Sequence, residues 1–351
     1  MNNKSIILAF VICGFLLFGC LGIGESPPPT PEPTTPANTT HITQNVNVTI
    51  GVQQNQSAHP QPTQNQSTPD QQSNLSIKEI DYIEDPTLNL GVYFIDVGGP
   101  ELHGSAILVK KGDFDMLIDA GPKEEESKVV DFLRTKNVDD IDVLVSTSAD
   151  PRNYGGIEHV LDNYRIEQFW YGGNPNNDQT YAQVINRVSN VSKKTVLIGR
   201  GFDKTIDGID FKALNPNLQQ PYKDVNNDAV VLRISDRNFT ALLSSNIQTG
   251  AQGDLINQQK DLIRSDIMQA PYYGVGAGTA QIGLYLIGVN PKTIIITGSA
   301  DEDAQNGGSR DPFRRYMRQY NVSWVETYKN GSVRVIYDGN QYSIDSLGSG
   351  N

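Results

Sequence analysis

The sequence VLVSTSADPRNYGG occupies Val143–Gly156 and carries the pattern from which the fold class of the chain can be inferred. Its apolar start, Val143–Val145, is typical of a buried strand, and a helix is expected over Gly156–Leu161. A polar turn and a double glycine separate the two. The stretch therefore predicts a strand, a loop rich in polar side chains, and a helix.

Strands and helices alternate on both sides of this stretch. Apolar runs predict strands at Gly91–Asp96, Ala106–Lys110, Phe114–Asp119, Ile166–Tyr171, Thr195–Ile198, Ile209–Leu214, Ala229–Ile234, Phe239–Leu243, Ile267–Ala270, Thr293–Thr297, Val322–Glu326 and Val333–Tyr337. Helical periodicity predicts helices at Glu124–Lys136, Gln179–Val191, Ile247–Asp261, Thr279–Gly288 and Pro312–Tyr320. Two sheets with helices outside both, an α+β fold with αββα layers, suit this mixture.

Four stretches, in order along the chain, resemble one family. They are Phe94–Gly98 with Ala106–Val109 (FIDVG and AILV), Leu117–Pro122 (LIDAGP), Val143–Gly156, and Asn227–Leu232 with Leu242-Leu243 (NDAVVL and LL). The ordered set resembles the metallo-β-lactamase fold superfamily, in its ComEC-like branch of DNA-uptake competence proteins. The resemblance extends over about Leu90 to Tyr337 and implies an αββα four-layer sandwich.

The resemblance implies a hydrolase in which His and Asp hold one or two divalent metals, typically zinc, around a reactive water. The family's central motif is T-H-x-D-x-D-H, and this chain has TSADPRN at the matching positions. Ser148 and Asn153 replace the two histidines, Arg152 replaces the second Asp, and only Asp150 matches. A fixed cation at Arg152 would repel a metal there.

The later ligand positions are substituted as well. Asn246 stands where the family has its metal-bridging Asp, and the HHGS loop of the family aligns with Tyr272-Tyr273-Gly274-Val275. The last His of the family has no counterpart in Asp301–Pro312. The expectation is therefore a zinc-type scaffold without its zinc ligands and without a cofactor. Positions that do match the family are Asp119, Gly121, Gly155, Gly156 and Gly274.

Histidine is scarce, with four in the whole chain and two of those in the polar N-terminal segment. The other two, His103 and His159, match no ligand position of the family, and we interpret both as surface or capping imidazoles. The alternative is a rebuilt metal site that combines His103 with Asp119 and Asp150.

The loops that carry ligands in the family are still expected to converge at one sheet edge. The expected cleft residues are Ser148, Asp150, Arg152, Asn153, Tyr154, Asn246, Tyr272 and Tyr273, with Ser309 and Arg310 as further candidates. Two interpretations stay open: the polar groups satisfy one another, or Arg152 and the tyrosines recognise a sugar, peptide or anionic group. Asp150 is expected to pair with Arg152, and Asp119 to orient a neighbouring loop.

The N-terminal sequence predicts an export signal followed by a tether. Residues 1–20 contain an apolar run of about 13 residues, short for a spanning helix, and resemble a lipoprotein signal with Cys20 as the lipidated residue. The alternative is an uncleaved anchor. Residues 21–76 are rich in Pro, Thr, Asn and Gln and predict a disordered tether, and residues 77–351 form the domain. Sequons within the domain occur at Asn190, Asn238, Asn321 and Asn330.

Charge argues against a nucleic-acid partner. The chain has 28 Lys and Arg against 40 Asp and Glu, a net charge of −12. Only one basic and three acidic residues precede Ile77, so the excess of acid belongs to the domain, whereas phosphate binding relies on clustered Lys and Arg.

The sequence thus predicts a lipid-anchored protein that faces the outside of the cell and binds or scaffolds an unknown surface partner without metal-dependent hydrolysis. The alternative is an active phosphodiesterase-like hydrolase with a rebuilt site, and a third option is a glycosylated envelope component without a ligand.

Overall fold

The structure is a computed structural model that describes residues 89–98, 104–275, 280–299 and 310–348. These residues belong to the unit Ser76–Asn351. The sequence predictions for residues 1–20 with Cys20, for residues 21–76, and for His103 and Ser309 lie outside the described residues. Among those described, no helix is both long and apolar enough to cross a bilayer.

Fifteen strands form two sheets in this part of the chain. They are β1 Leu90–Phe94, β2 Ile107–Lys111, β3 Phe114–Ile118, β4 Ile141–Ser146, β5 Ile166–Tyr171, β6 Lys194–Leu197, β7 Phe202–Ile206, β8 Ile209–Asn215, β9 Val231–Asp236, β10 Phe239–Leu243, β11 Ile267–Gln269, β12 Thr293–Ile296, β13 Ser323–Glu326, β14 Val333–Tyr337 and β15 Tyr342–Ser346. The first sheet has the order β15-β14-β1-β2-β3-β4-β5-β6, and the second has the order β13-β12-β11-β10-β9-β8-β7.

The helices of the described residues flank the two sheets. They are α1 Glu126–Thr135, α2 Pro151–Tyr154, α3 Ile157–Asn163, α4 Gln179–Val191, α5 Thr249–Gln258, α6 Ala280–Val289, α7 Asp311–Gln319 and α8 Thr327–Asn330. Helix α1 starts later than predicted because Lys123–Glu125 forms a 3₁₀ turn. Asp178 caps α4 by accepting a hydrogen bond from the Tyr181 N–H.

Three apolar clusters define the layers. The central cluster joins the inner faces of the sheets, for example Val92 and Val143 with Phe211 and Ile234. The second cluster packs the outer face of the first sheet against α1, α3 and α4, and the third packs the outer face of the second sheet against α5, α6 and α7. Helices, sheet, sheet and helices therefore follow one another, and the predicted αββα sandwich is confirmed.

Parallel pairing brings the functional loops to one edge. Strands β3, β4 and β5 are parallel neighbours, and β10, β11 and β12 are parallel neighbours in the other sheet. The carboxyl ends of parallel strands share an edge, which is where open α/β sheets carry their sites. Strands β3 and β4 are buried along almost their whole length because both of their faces are covered.

Candidate functional site

The residues that follow four of these strands meet at one edge of the sandwich. They are Asp119 after β3, Thr147–Asn153 after β4, Ser244–Asn246 after β10, and Pro271–Gly274 after β11. Thr147 Oγ1 lies 2.7 Å from Ser245 Oγ, and the Tyr272 N–H donates to the Ser245 carbonyl over 2.9 Å. The loops of the two sheets are thus in direct contact.

Asp119 is the buried anchor of this edge. Its Oδ1 accepts the Thr147 N–H at 2.8 Å, and its Oδ2 accepts the Thr147 hydroxyl and the Asn153 Nδ2, both at 2.7 Å. Burial raises the pKa of Asp119 to about 6, and the same donors oppose that rise. The carboxylate holds the loop after β4 in place, which is the role that the sequence suggested.

The hydroxyl of Thr147 fixes the direction of its other hydrogen bonds. A hydroxyl has one proton, and at neutral pH the Asp119 carboxylate can only accept, so Thr147 donates to Asp119. Ser245 must then donate to Thr147 Oγ1. Thr147 and Ser245 were not among the site residues predicted from the sequence. The signal that could have found them is a hydroxyl residue directly after each strand that carries a family motif.

Asn153 occupies a position where the family has a ligand histidine. Its Nδ2 donates to Asp119, and its Oδ1 accepts from the Tyr273 hydroxyl at 2.6 Å and from Asn246 Nδ2 at 3.1 Å. The amide orientation follows from the chemistry, because the opposite orientation would place its oxygen against the Asp119 carboxylate. No lone pair of Asn153 is therefore directed at an empty ligand position.

Asp150 is bound by its own loop. Its Oδ1 accepts the backbone N–H of Arg152 at 3.0 Å and caps α2. The Arg152 guanidinium donates to both oxygens, from Nε at 2.9 Å and from Nη2 at 2.5 Å, as the sequence predicted. Burial alone would lower the pKa of Arg152, but the hydrogen bonds and charge of Asp150 raise it overall.

The two tyrosines complete the enclosure of the guanidinium. Arg152 Cζ lies 5.4 Å from the ring centroid of Tyr272 and 5.0 Å from that of Tyr273, within the range of cation–π contact. Both tyrosines have left-handed backbones, with φ of 46° and 56°, which is rare for bulky residues and is retained only where surrounding contacts impose it. One such contact is the 2.9 Å hydrogen bond from Arg310 Nε to the Tyr273 carbonyl.

Three other expected cleft residues are held by different contacts. The Ser148 hydroxyl donates to the Val225 carbonyl at 3.1 Å and belongs to the contact between two loops. The ring of Tyr154 packs in the helix-side core, 4.8 Å from the ring of Tyr181, so its expected place in the cleft was wrong. Arg310 is fully buried beneath the tyrosine turn and supports that turn from behind.

The retained double glycine is explained by close backbone approach. A Cβ on Gly156 would lie 2.2 Å from the Ala120 carbonyl oxygen, and a Cβ on Gly155 would lie 2.5 Å from the Lys123 nitrogen. Both contacts are far inside van der Waals distance. The glycines therefore let the loop after β4 pack on the Asp119 turn, and their role is structural.

Asn246 stands where the family has the metal-bridging Asp. Its Nδ2 donates to Asp150 Oδ2 and to Asn153 Oδ1, each at 3.1 Å. Its Oδ1 is buried and has no hydrogen-bond partner among the described residues. A single amide oxygen is a poor substitute for a bridging carboxylate, because it lacks the negative charge that holds two cations together.

The residues present do not fit a zinc site. The Asp119 and Asp150 carboxylates are engaged by donors, and the ligand histidines are replaced by Ser148, Asn153 and a tyrosine. Within the described ranges, no three His, Cys, Asp or Glu side chains are grouped so that they could hold a metal ion. His159 lies on the partly exposed side of α3.

Known proteins that are similar to this chain include a ComEC-like competence protein and proteins with the metallo-β-lactamase fold. ComE operon protein 3 of Bacillus subtilis (strain 168), a ComEC-like competence protein, is 19% identical over 247 residues. The match covers 69% of this chain but only 31% of that protein, so this chain spans about a third of its relative. No family model matches the chain.

Solved structures with detectable similarity include two metallo-hydrolase-type folds. The metallo-β-lactamase fold protein YhfI from Bacillus subtilis is 11% identical with a TM-score of 0.46, and the match covers 68% of this chain and 95% of YhfI. The metallo hydrolase Igni18 from Ignicoccus hospitalis is 10% identical with a TM-score of 0.41, and the match covers 70% of this chain and 98% of Igni18. With its αββα layers and the loop motifs at their carboxyl edge, the chain has the metallo-β-lactamase fold, and its sequence is similar to that of a ComEC-like competence protein.

Proposed function

We propose that this domain has lost metal-dependent hydrolysis and acts by binding or scaffolding a partner at the outer face of the cell membrane. One observation carries the proposal: at the positions of the family's metal ligands, polar side chains donate to and accept from one another. Asp150 neutralises Arg152, and Asn153 joins Asp119 to Tyr273. Apart from the Asn246 Oδ1 atom, the side chains at these positions thus have protein partners here.

Charge supports the loss of the metal. The Arg152 guanidinium lies against the Asp150 carboxylate with both side chains largely buried, at 23% and 9% exposure. A divalent cation beside this guanidinium would meet a repulsion that low local dielectric strengthens. A metal that bound Asp150 would also separate this carboxylate from Arg152. The largely buried guanidinium would then have lost its partner, which is costly.

The binding surface that we propose is the rim of the former cleft. Arg152 and Tyr272 are partly exposed there, whereas Tyr273, Asn153 and Asn246 are buried behind them. The excess of acidic residues argues against a nucleic-acid partner, because binding along a phosphate backbone relies on clustered Lys and Arg. A protein or saccharide of the cell surface fits this location better.

Metal analysis of the purified full-length protein tests the loss of the site. We expect clearly less than one equivalent of zinc, manganese or iron after incubation with each metal and removal of the excess. A matched variant that restores four family ligands, Ser148→His, Arg152→Asp, Asn153→His and Asn246→Asp, should gain metal. Stoichiometric metal in the unmodified protein contradicts the proposal.

Hydrolysis is tested on the same preparation. The protein should be inert on a panel of phosphodiesters and carboxylic esters with added divalent metals. Phosphodiesterase activity that Asp150→Ala abolishes would instead assign the alternative function, a hydrolase with a rebuilt site.

The lipid anchor and the partner need separate tests. We propose that Cys20 is lipidated, so a Cys20→Ala variant should lose incorporation of a labelled lipid and leave the membrane fraction. Crosslinking on intact cells, compared between the unmodified protein and Arg152→Met, should then show a surface partner whose recovery depends on the cleft rim. Equal recovery with both proteins would contradict binding at this rim.

A further inference from the structure

A second groove lies at the opposite end of the first sheet from the degenerate cleft. It has a volume of about 630 Å³ and is lined by residues that include Asn89, Tyr93, Lys110, Asp113, Lys136 and Arg334. Asn89 precedes β1, whereas the cleft follows the carboxyl ends of β3 and β4. The volume lies within the range of about 300–1,000 Å³ that is usual for small-molecule sites.

The backbone register places the groove residues on one sheet face. Tyr93 pairs with Arg334 across β1 and β14, and Gly91 pairs with Lys110 across β1 and β2. A Cβ on Gly91 would lie 2.6 Å from Cε2 of the Tyr93 ring, so the ring lies flat over the strand at the glycine. An aromatic floor therefore sits between cations from two neighbouring strands.

Two cationic donors in this groove lack an acceptor. Lys136 lies at the end of α1 with its ammonium 5.4 Å from the Tyr93 ring centroid and 5.1 Å from that of Phe132, and no carboxylate of the described residues pairs with it. The Nε–H of Arg334 is buried and has no partner among the same residues. The Arg334 side chain as a whole is 39% exposed and lines the groove together with Lys136, so the groove presents two cations.

The remaining charges do not cancel these donors. Lys110 donates to both oxygens of Asp115, at 2.9 and 2.8 Å, which leaves the third ammonium proton for another acceptor. Arg334 Nη2 is paired with Asp345 at 2.9 Å, but both side chains are well exposed, and such pairs are weak. Among the described residues, Asp113 is the one acidic residue that lines the groove.

The lowered pKa of Lys136 is consistent with a positive charge that no neighbouring group compensates. Burial lowers the pKa of Lys136, and the positive charge of Arg334 lowers it further. A bound anion would relieve both effects.

We propose that this groove binds a sugar that carries an oxyanion, a uronate or a sugar phosphate, with the oxyanion on Lys136 and Arg334 and the sugar ring over Tyr93. The two cations that line the groove select the oxyanion, and the aromatic floor with the Asn89 amide at the rim selects a sugar. The site is independent of the degenerate cleft and of the function proposed for that cleft.

Calorimetric titration of the full-length protein tests the proposal with four probes: glucuronate, glucose 6-phosphate, glucose and inorganic phosphate. Glucuronate, glucose 6-phosphate or both should bind, and glucose should bind at least tenfold more weakly. Which of the two acidic sugars binds more tightly identifies the oxyanion. Inorganic phosphate that binds as tightly as the acidic sugars overturns the assignment of a sugar, and absence of binding by both acidic sugars overturns the site.

Variants connect the binding to the groove. Lys136→Met should weaken binding of the acidic sugar at least tenfold, and Arg334→Gln should weaken it several-fold. Asp113→Asn should strengthen binding, because it removes a negative charge that repels the anionic ligand. Lys194→Met, an exposed lysine on β6, is the matched control and should change nothing. The charge of Lys136 is partly desolvated, so its replacement by the uncharged Met should not destabilise the fold. An unchanged Tm would then show that a loss of binding is not a loss of folding. Equal affinity in Lys136→Met and the unmodified protein would refute the proposal.

Discussion

The phenol of Tyr273 donates a 2.6 Å hydrogen bond to Oδ1 of Asn153, and this bond joins the loop after β11 in one sheet to the loop after β4 in the other. In the ComEC-like family both positions lie in loops that hold metal. Here an aromatic hydroxyl and an amide connect the two sheets directly. A hydrogen bond between side chains thus links the two sheets across the cleft.

Replacing Tyr273 by Phe should therefore destabilise the domain. Asn153 Oδ1 would keep only the 3.1 Å bond from Asn246, and we expect a loss of about 1–2 kcal/mol in the free energy of unfolding. Urea denaturation measures the change. Tyr154→Phe is the control, because Tyr154 is also buried but its hydroxyl makes no hydrogen bond among the described residues. Equal losses in the two variants would show that the bond is not responsible.

The Arg152–Asp150 pair should behave as one unit. Arg152→Met alone leaves a largely buried carboxylate short of donors and should cost about 1–3 kcal/mol, below the range for fully buried pairs because Arg152 is partly exposed. Arg152→Met combined with Asp150→Asn should cost less than the sum of the two single changes. A double-mutant cycle by chemical denaturation checks this coupling. Strict additivity would mean that the ion pair contributes no interaction energy.

The raised pKa of Asp119 predicts that this group affects folding stability with a pH dependence opposite in sign to that of most acidic side chains. Burial raises its pKa to about 6, against about 3.9 for the unfolded chain. Between those values the folded state holds more protons than the unfolded state, so its stability falls as pH rises from about 4 to about 6 and is level above that range. The predicted loss from this one group is about 3 kcal/mol.

An Asp119→Asn variant isolates this contribution, because the titration of all other groups is common to both proteins. The free energy of unfolding of the unmodified protein, relative to the variant, should decrease between pH 4 and pH 6 and then stay constant. Urea denaturation at one-unit pH intervals provides the comparison. A relative stability that rises over this range would contradict the raised pKa.

Much of the fold could be predicted from the sequence because its core elements have strong patterns. Ile166–Tyr171, Gln179–Val191, Phe239–Leu243 and Val333–Tyr337 were predicted with the bounds that the structure has. Strands β7 and β15 were missed because they are edge strands with mostly exposed side chains, so no apolar run marks them. The short helix α2 is set by the Asp150 cap and Pro151, and is too short for periodicity to detect.

The candidate site was predictable by position but not by contact. Family motifs locate Asp119, Asp150, Asn153 and Asn246 on loops that converge, and the structure brings them together. The direction of each hydrogen bond depends on side-chain rotamers that the sequence does not specify. The inward turn of Tyr154 likewise depends on packing against α4, and loop position alone suggested the opposite.

The strongest acid-sensitive contact is expected at Glu326, outside the cleft. Arg314 donates to both of its oxygens, from Nε at 2.9 Å and from Nη2 at 2.7 Å, and Trp324 Nε1 adds a third bond at 3.0 Å. Burial alone would raise the pKa of Glu326, but the hydrogen bonds from Arg314 and its neighbours lower it to about 2. The folded state therefore binds fewer protons than the unfolded state below about pH 4.5.

The stability from Glu326 should be complete above about pH 5 and disappear as the pH falls toward 2, a contribution of about 3 kcal/mol. A Glu326→Gln variant should be less stable than the unmodified protein at pH 7, and the difference should shrink steadily in acid. Glu158→Gln, on the exposed side of α3, is the control and should follow the unmodified protein at every pH. Denaturation curves between pH 3 and pH 7 decide the matter: a difference that stays constant in acid would mean that Arg314 holds Glu326 by packing and not by its charge.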